Sequence, residues 1–430
     1  DCFETFKRIE DNSVDLVVTD PPYGLNFMSK DWDKALPDKK VWEECLRVLK
    51  PGAFAFVMSI PRADCLSRMI ISLEGAGFKV NFTPMFWAYA SGFPKAQNIG
   101  KALDKRAGAK REVTGKDRKF GRADSGVYQF NDGSKPDKYE YDKKDKPATP
   151  QAKALDGSYG GFQPKPAVEV IIVAMKPLSE KTYVDQALKN GHGITWLDDG
   201  RIPTAENLNG GMYSGEGKAK IVADHQWGFQ KRDGQFIQPQ GRFPANLLVS
   251  DDVLNVESRG GFSNYGATQI YGTKLTKDID RRGKWREDIG SFSRYFDLDK
   301  WWTERIKQLP TSVQKTFPFL IVPKASKSEK NKGCEDLPLK LAGCMQVRQD
   351  GSLGGKIVHN HNNHPTVKPL KLMSYLVTLG SREGDLVLDP FLGSGTTAVA
   401  CINTKRNYIG SESNTDYYNI ILKRIKEALL

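Results

Sequence analysis

Apolar and polar positions alternate in two recognisable stretches, one near each end of the chain, and lose their rhythm between them. Val14 to Thr19 is a short apolar run that predicts a buried strand. Lys39 to Lys50 has helical spacing, with Val41, Cys45, Leu46 and Leu49 on one face and Pro51-Gly52 as the stop. Ala53 to Ser59 predicts a second strand, Asp64 to Glu74 a helix stopped at Gly75 and Gly77, and Phe78 to Phe82 a third strand. Near the other end, Leu370 to Leu379 predicts a helix and Asp385 to Leu388 a strand. A glycine-rich turn follows, then a helix to about Thr404, a strand over Asn407 to Ile409 and a last helix from about Asn414. Strands alternating with helices imply a doubly wound, mostly parallel α/β sheet, here assembled from both ends of the chain.

Between these ends, Lys101 to Pro166 is rich in Lys, Asp, Gly and Tyr, with Pro147, Pro150 and Pro164, and predicts a basic, partly disordered insert. Ala167 to Met175 interrupts as a strand. Residues 178–315 are full of glycine and aromatic residues, among them Trp196, Trp227, Trp285, Trp301 and Trp302, with no clear period. Trp196, Trp301 and Trp302 are read as core residues before base-reading ones. The expected division is therefore 1–100, 101–165, 166–177, 178–315 and 316–430.

Composition sharpens this picture. With 430 residues, 39% of them hydrophobic, the chain has enough material for more than one core. The net charge of +12 favours an anionic partner, most often nucleic acid, although many basic proteins bind none. No run reaches the roughly 18 apolar residues of a membrane span, and Asp1-Cys2-Phe3-Glu4 does not open a leader peptide. The six scattered cysteines suit reduced thiols, so a cytoplasmic protein is expected. Since the sequence starts without Met, it is read as beginning inside a longer chain.

Three motifs carry chemistry. Asp20-Pro21-Pro22-Tyr23 closes the first strand. Ligands of open α/β sheets bind beyond such strand ends, and two prolines stiffen the loop while removing two donors. Carbonyl acceptors beside a carboxylate suit an exocyclic amine: bonds from both N–H groups free the nitrogen lone pair, and Asp20 stabilises the developing cation. Tyr23 offers a face for stacking a base. A Pro-Pro turn with an incidental Asp and Tyr accounts for the tetrapeptide equally well. The second motif, Asp389-Pro390-Phe391-Leu392-Gly393-Ser394-Gly395-Thr396-Thr397, has the strand, Gly-x-Gly turn and helix order of a nucleotide-binding crossover, with Glu412 at the end of the next strand. It lacks Gly-x-x-x-x-Gly-Lys, so it is no phosphate loop. The third, His364-Pro365-Thr366-Val367-Lys368-Pro369, is by itself no more than a helix start. Cys334, Cys344, His359, His361 and His364 cluster in sequence without paired metal-ligand spacing, and no metal is expected.

In that order, these motifs closely resemble the beta class of S-adenosylmethionine-dependent DNA amino-methyltransferases, whose catalytic half precedes the cofactor half. The resemblance covers residues 1–100, 166–176 and 316–430. It implies a Rossmann-like fold in circularly permuted order, with target recognition in the region 178–315. Asp20, Pro21, Pro22 and Tyr23 match the catalytic loop that holds a flipped base. Phe391, Gly393 and Gly395 match the loop against the methionine part of the cofactor, and Asp389 opens that motif. Glu412 matches the ribose-binding acid, and Thr366 and Lys368 the motif that closes over the cofactor's other side. Asp1 matches an acid near the adenine, although the strand that should precede it is missing here. The 101–165 insert is longer than the family leads one to expect.

The resemblance ties an Asp at the head of the loop to adenine N6 and a Ser to cytosine N4, so it implies adenine N6 in double-stranded DNA as the expected target. Cytosine N4 and an inactive nucleic-acid-binding module are the alternatives. Arg281, Arg282, Lys284 and Arg286, beside Trp285, are the candidate DNA contacts against the reading of a merely solvated loop. The resemblance further implies a bacterial, archaeal or phage-encoded enzyme of restriction-modification type, with a homodimer and a cognate restriction endonuclease as further partners to look for.

Overall fold

A computed structural model describes residues 1–25, 33–88, 96–118, 141–162, 168–204, 208, 237–249, 257–260, 288–291, 298–307, 325, 327–342, 346–347, 353–354 and 358–430. The chain divides into two compact units, Asp1–Tyr89 with Val168–Leu430, and Ala90–Ala167.

The larger unit is built on seven strands: β1 (Val14–Thr19), β2 (Leu49–Ser59), β3 (Met85–Ala88), β4 (Val168–Met175), β5 (Leu247–Val249), β6 (Leu386–Asp389) and β7 (Asn407–Gly410). They lie in the order β7-β6-β1-β2-β4-β3-β5. All neighbours are parallel except β4, which runs antiparallel to both β2 and β3. The two ends of the sequence do meet in one sheet: Leu16 lies beside Val387 and Val17 beside Leu388. Every residue of β1 is buried, as expected of a parallel strand covered on both faces.

The period of two sorts β2 between two cores. Phe54, Phe56 and Met58 face the helix α4 (Leu370–Gly380) together with Trp301 and Trp302, while Ala53, Ala55 and Val57 face α2 (Lys39–Val48) and α3 (Ala63–Gly75). Trp301 and Trp302 are core residues, as read from the sequence. The Trp301 indole donates to the Asp199 carbonyl at 2.8 Å and meets Tyr375 edge-on, with ring centroids 4.9 Å apart. Trp196 instead carries the Arg382 guanidinium over its ring, 3.3 Å from the centroid.

Several expected elements change. The helix from Lys39 ends at Val48, and Pro51-Gly52 falls inside β2, which already begins at Leu49. Phe78 to Phe82 is not a strand: Phe78 is buried, but the segment makes only an isolated bridge, Lys79 with Met175, and β3 starts at Met85. Alternation alone placed the strand seven residues early, because the partner that fixes its register is β4, far away in sequence.

The smaller unit holds more order than an irregular loop. Its described residues form helices at Ile99–Arg106 and Pro150–Ala154 and an antiparallel hairpin of Glu112–Arg118 with Tyr141–Lys146. Asp104 knits them together. Its buried carboxylate accepts from Arg111 Nη1 (2.6 Å), the Thr149 amide (2.9 Å) and hydroxyl (2.8 Å), and the Ala148 amide (3.0 Å). Most of the expected recognition region, and all four of Arg281, Arg282, Lys284 and Arg286, lie outside the described residues. Among the described residues, no helix is long and apolar enough to cross a membrane.

Candidate functional site

The sheet reverses its winding between β1 and β6, since the chain proceeds outward from β1 to β2 on one side and from β6 to β7 on the other. Such a switch point leaves a crevice beyond the carboxyl ends of the two strands. A cleft of about 690 Å³ lies there, within the roughly 300–1,000 Å³ usual for small-molecule sites. It is lined by residues that follow β1, β6 and β7, by the His364–Lys368 segment and by Asp1.

Of the residues singled out from the sequence, Asp1, Asp20, Pro22, Thr366, Lys368, Asp389, Phe391, Gly393 and Glu412 line this cleft. Pro21, Tyr23 and Gly395 are not among its lining residues. Pro21 is buried, and Tyr23 turns its hydroxyl onto Asp20 Oδ1 at 2.5 Å. Gly395 adopts φ +81° at the head of α5 (Thr396–Asn403), a left-handed conformation that suits glycine.

Asp389 ties the two strand ends together. Its Oδ1 accepts from the Thr19 hydroxyl of β1 (2.6 Å) and from the Phe391 amide (3.0 Å), and its Oδ2 accepts from the Thr397 hydroxyl (2.6 Å). Burial pushes this carboxyl up to about 6, against the pull of those three donors. Both oxygens are engaged, so Asp389 shapes the glycine loop from behind. The loop is further held by Arg424, which donates to the Ser394 carbonyl (2.7 Å), and by the Leu392 amide on the Ser411 carbonyl (2.8 Å). Phe391 is anchored edge-on against Trp42, with centroids 6.3 Å apart.

Opposite, His364 packs on Gly393 so closely that a Cβ there would sit 3.0 Å from its Nε2, which together with φ +57° explains the glycine. The imidazole meets Tyr417 at 4.4 Å and accepts from the Thr366 amide at 3.3 Å. Burial, reinforced by the positive charges of Lys368, Arg424 and Lys330, pushes His364 down to about 3, so it is neutral at neutral pH. Glu412 is half-buried, accepts from the Asn414 amide at 2.8 Å, and has its carboxyl raised by burial. Asp1 caps the helix α1 (Cys2–Phe6) by accepting from the Phe3 amide at 2.9 Å.

Two acids of the site carried no motif. Asp33 is buried and grips the turn after the proline pair, accepting from the amides of Tyr23 (2.8 Å), Gly24 (3.0 Å) and Leu25 (3.2 Å). Glu169, from β4, stands 3.2 Å from Lys368 Nζ, and that ammonium is 2.5 Å from Asp20 Oδ2. Neither acid had a sequence signal, since both act across distances that only the fold closes.

Of the other residues in the Cys/His cluster, Cys334 is buried in a small core with Tyr417 and Ile420, and His361 Nδ1 lies 2.6 Å from the Leu337 carbonyl. Among the described residues, no group of three His, Cys, Asp or Glu side chains is placed to hold a metal.

The fold and the cleft define an open α/β sheet whose switch point brings an acid-Pro-Pro loop and a glycine loop to one cavity. The chain belongs to the N6/N4 DNA methylase family, whose model matches residues 14–423. Among curated relatives, the type II methyltransferase M2.MboI of Moraxella bovis is 38% identical over 94 residues, 21% of this chain and 34% of that protein. The type II methyltransferase M2.DpnII of Streptococcus pneumoniae is 40% identical over 93 residues, 21% of this chain and 35% of that protein. The DNA adenine methyltransferase YhdJ of Escherichia coli K12 is 40% identical over 72 residues, 17% of this chain and 24% of that protein. The matched segments thus span about a third or less of these relatives.

S-adenosylmethionine fits the residues present. The half-buried Glu412 carboxylate, just past the end of β7, offers the cleft an acceptor for hydroxyl groups, and Phe391, Leu392 and Met373 give it an apolar wall. Asp1 and Glu412 add carboxylates to the lining, while Asp20 is paired with Lys368, and such acceptors suit a ligand carrying a sulfonium and an ammonium.

Proposed function

We propose that this protein methylates the N6 amine of adenine in double-stranded DNA, after flipping the base out of the helix. The carrying observation is the shared cleft: Asp20 at the end of β1 faces the same cavity as Phe391, Gly393 and Glu412, with Thr19 and Asp389 joining the two strand ends.

When bound, S-adenosylmethionine supplies an activated methyl group; the residues of the chain do the rest. Asp1, Phe391, Gly393 and Glu412 bind and orient it, and Thr366 closes the opposite wall. Asp20 and the Pro21 carbonyl accept the two N–H groups of the target amine, which draws its nitrogen towards sp³ and exposes the lone pair. The Asp20 carboxylate would stabilise the positive charge on the amine nitrogen as it takes the methyl group from sulfur, the cofactor leaving as a neutral thioether, until that nitrogen loses a proton to solvent. Flipping the base costs a few kcal/mol, which stacking on Tyr23 offsets in part. Most of the acceleration then comes from alignment.

The smaller unit supports DNA as the partner. Residues 90–167 contain 17 Lys and Arg against 10 Asp and Glu, a net +7 out of the chain's +12. The Arg281–Arg286 cluster adds candidate contacts within the proposed recognition region.

The test is incubation with unmethylated duplex DNA and methyl-labelled cofactor, followed by mass spectrometry of the nucleosides. N6-methyladenine is expected. N4-methylcytosine would overturn the choice of base, label in RNA alone the choice of DNA, and no transfer at all would leave a nucleic-acid-binding module.

A further inference from the structure

Both carboxylate oxygens of Asp20 already carry a partner. Its Oδ1 accepts from the Tyr23 hydroxyl at 2.5 Å and its Oδ2 from Lys368 Nζ at 2.5 Å. Lys368 is buried, with its ammonium 5.6 Å from the centroid of the Tyr23 ring. An amine that takes Oδ2 therefore competes with a full positive charge for the same oxygen.

Simply releasing the lysine would strand a buried cation, which is costly. The structure supplies a second anion within reach. Glu169 Oε2 is 3.2 Å from Lys368 Nζ and 3.5 Å from the Tyr23 hydroxyl, and its side chain is as sheltered as that of Asp20. Glu169 stands in β4 beside Trp87 of β3, and the next residue, Val170, pairs with Ser59 of β2, so its place is fixed by the sheet. The methyl transfer proposed above has no task for it.

The geometry points to Glu169 as a positioning residue that receives Lys368 when the target amine takes Asp20. In the free protein the lysine is shared, closer to Asp20. On base entry it moves wholly onto Glu169, so the cation keeps a carboxylate partner throughout and Asp20 is released as an acceptor. Lys368 thereby acts as a placeholder for the amine. This inference rests on the proposed amine methylation.

The test compares wild type, Glu169→Gln, Glu169→Asp and the double variant Glu169→Gln with Lys368→Met, at saturating cofactor. Glu169→Gln leaves Lys368 no second anion, so kcat is expected to fall on the order of 10- to 100-fold. Cofactor affinity by calorimetry should stay within about threefold. Glu169→Asp keeps the charge and should stay within about threefold of wild type in kcat. Removing the competing cation should make the double variant about tenfold faster than Glu169→Gln alone, a coupling of the sign only a competing partner produces. A Gln variant as fast as wild type overturns the inference, as does an Asp variant as slow as Gln or a double variant that is no faster. Absence of transfer by the wild type itself overturns the functional reading instead.

Discussion

The two units of this protein differ in how their residues are committed. In the larger one, a few side chains do several jobs each: Asp389 joins β1 to β6 and sets the glycine loop, and Lys368 bridges two acids. In the smaller one, Asp104 holds the helices and hairpin together, while Lys110, Lys146 and Lys153 lie exposed. The first builds a site by geometry, so single substitutions should be severe and insensitive to salt. The second offers charge, so its effects should be graded, additive and strongly screened.

The largest effect is expected at Asp20. Asp20→Ala should reduce methyl transfer by more than about 10³-fold while calorimetry shows cofactor affinity within about threefold. Turnover that persists would remove the loop from the chemistry and dissolve the contrast between the units. Asp33→Ala comes next. It strips one acceptor from three successive amides of the loop and should lower kcat on the order of 10- to 100-fold through misplacement of Asp20 and Tyr23. The reduction should be the same at 50 mM and 200 mM salt in assays at saturating DNA.

Those two acids also mark the boundary of what the sequence discloses. Asp20 is legible because it closes an apolar run and is followed by two prolines. The strands β1, β6 and β7 are legible within about a residue; burial on both faces leaves β1 and β6 as largely apolar runs, whereas β7 is an edge strand only partly buried. Asp33 is not legible, because a side chain that bonds amides eight to ten positions earlier follows no period. Glu169 is hidden in an ordinary strand until β4 pairs with β2 and β3. The first strand after α3 was misplaced for the same reason: Phe78 is apolar and buried, yet pairing with β4 begins in earnest only at Met85.

The buried site should also show in the pH dependence of stability. His364 is held down at about 3 in the folded chain, by burial first and by the cations Lys368, Arg424 and Lys330 after it. A depressed base favours the folded state above its unfolded value near 6.5, and that stability is lost as pH falls. Asp389 has the opposite sign: raised by burial to about 6, it loses stability as pH rises through that value. In the wild type the two oppose each other between pH 6.5 and 5. His364→Asn should leave the Asp389 slope exposed, so denaturant unfolding of the variant should show stability rising as pH falls from 6 to 5. Relative to the wild type, the variant should gain about 2 kcal/mol between pH 6.5 and 5, at about 1.4 kcal/mol per pH unit. Parallel pH profiles would mean that His364 titrates freely in the folded chain.

The smallest effect belongs to the smaller unit and is the one that tests its role most directly. Lys110, Lys146 and Lys153 are exposed and make no ion pair among the described residues. Each lysine that meets a phosphate displaces a condensed counterion, contributing about 0.9 to the slope of log affinity against log salt. The triple variant with all three changed to Gln should therefore bind duplex DNA with a slope shallower by about 1 to 3, and several-fold more weakly near 0.1 M salt. Its kcat at saturating DNA should equal that of the wild type, since none of the three lines the cleft. An unchanged slope would show that the charge of this unit stays in solvent. The net +5 of the larger unit would then have to account for DNA binding, and the division of labour between geometry and charge would lie within that unit.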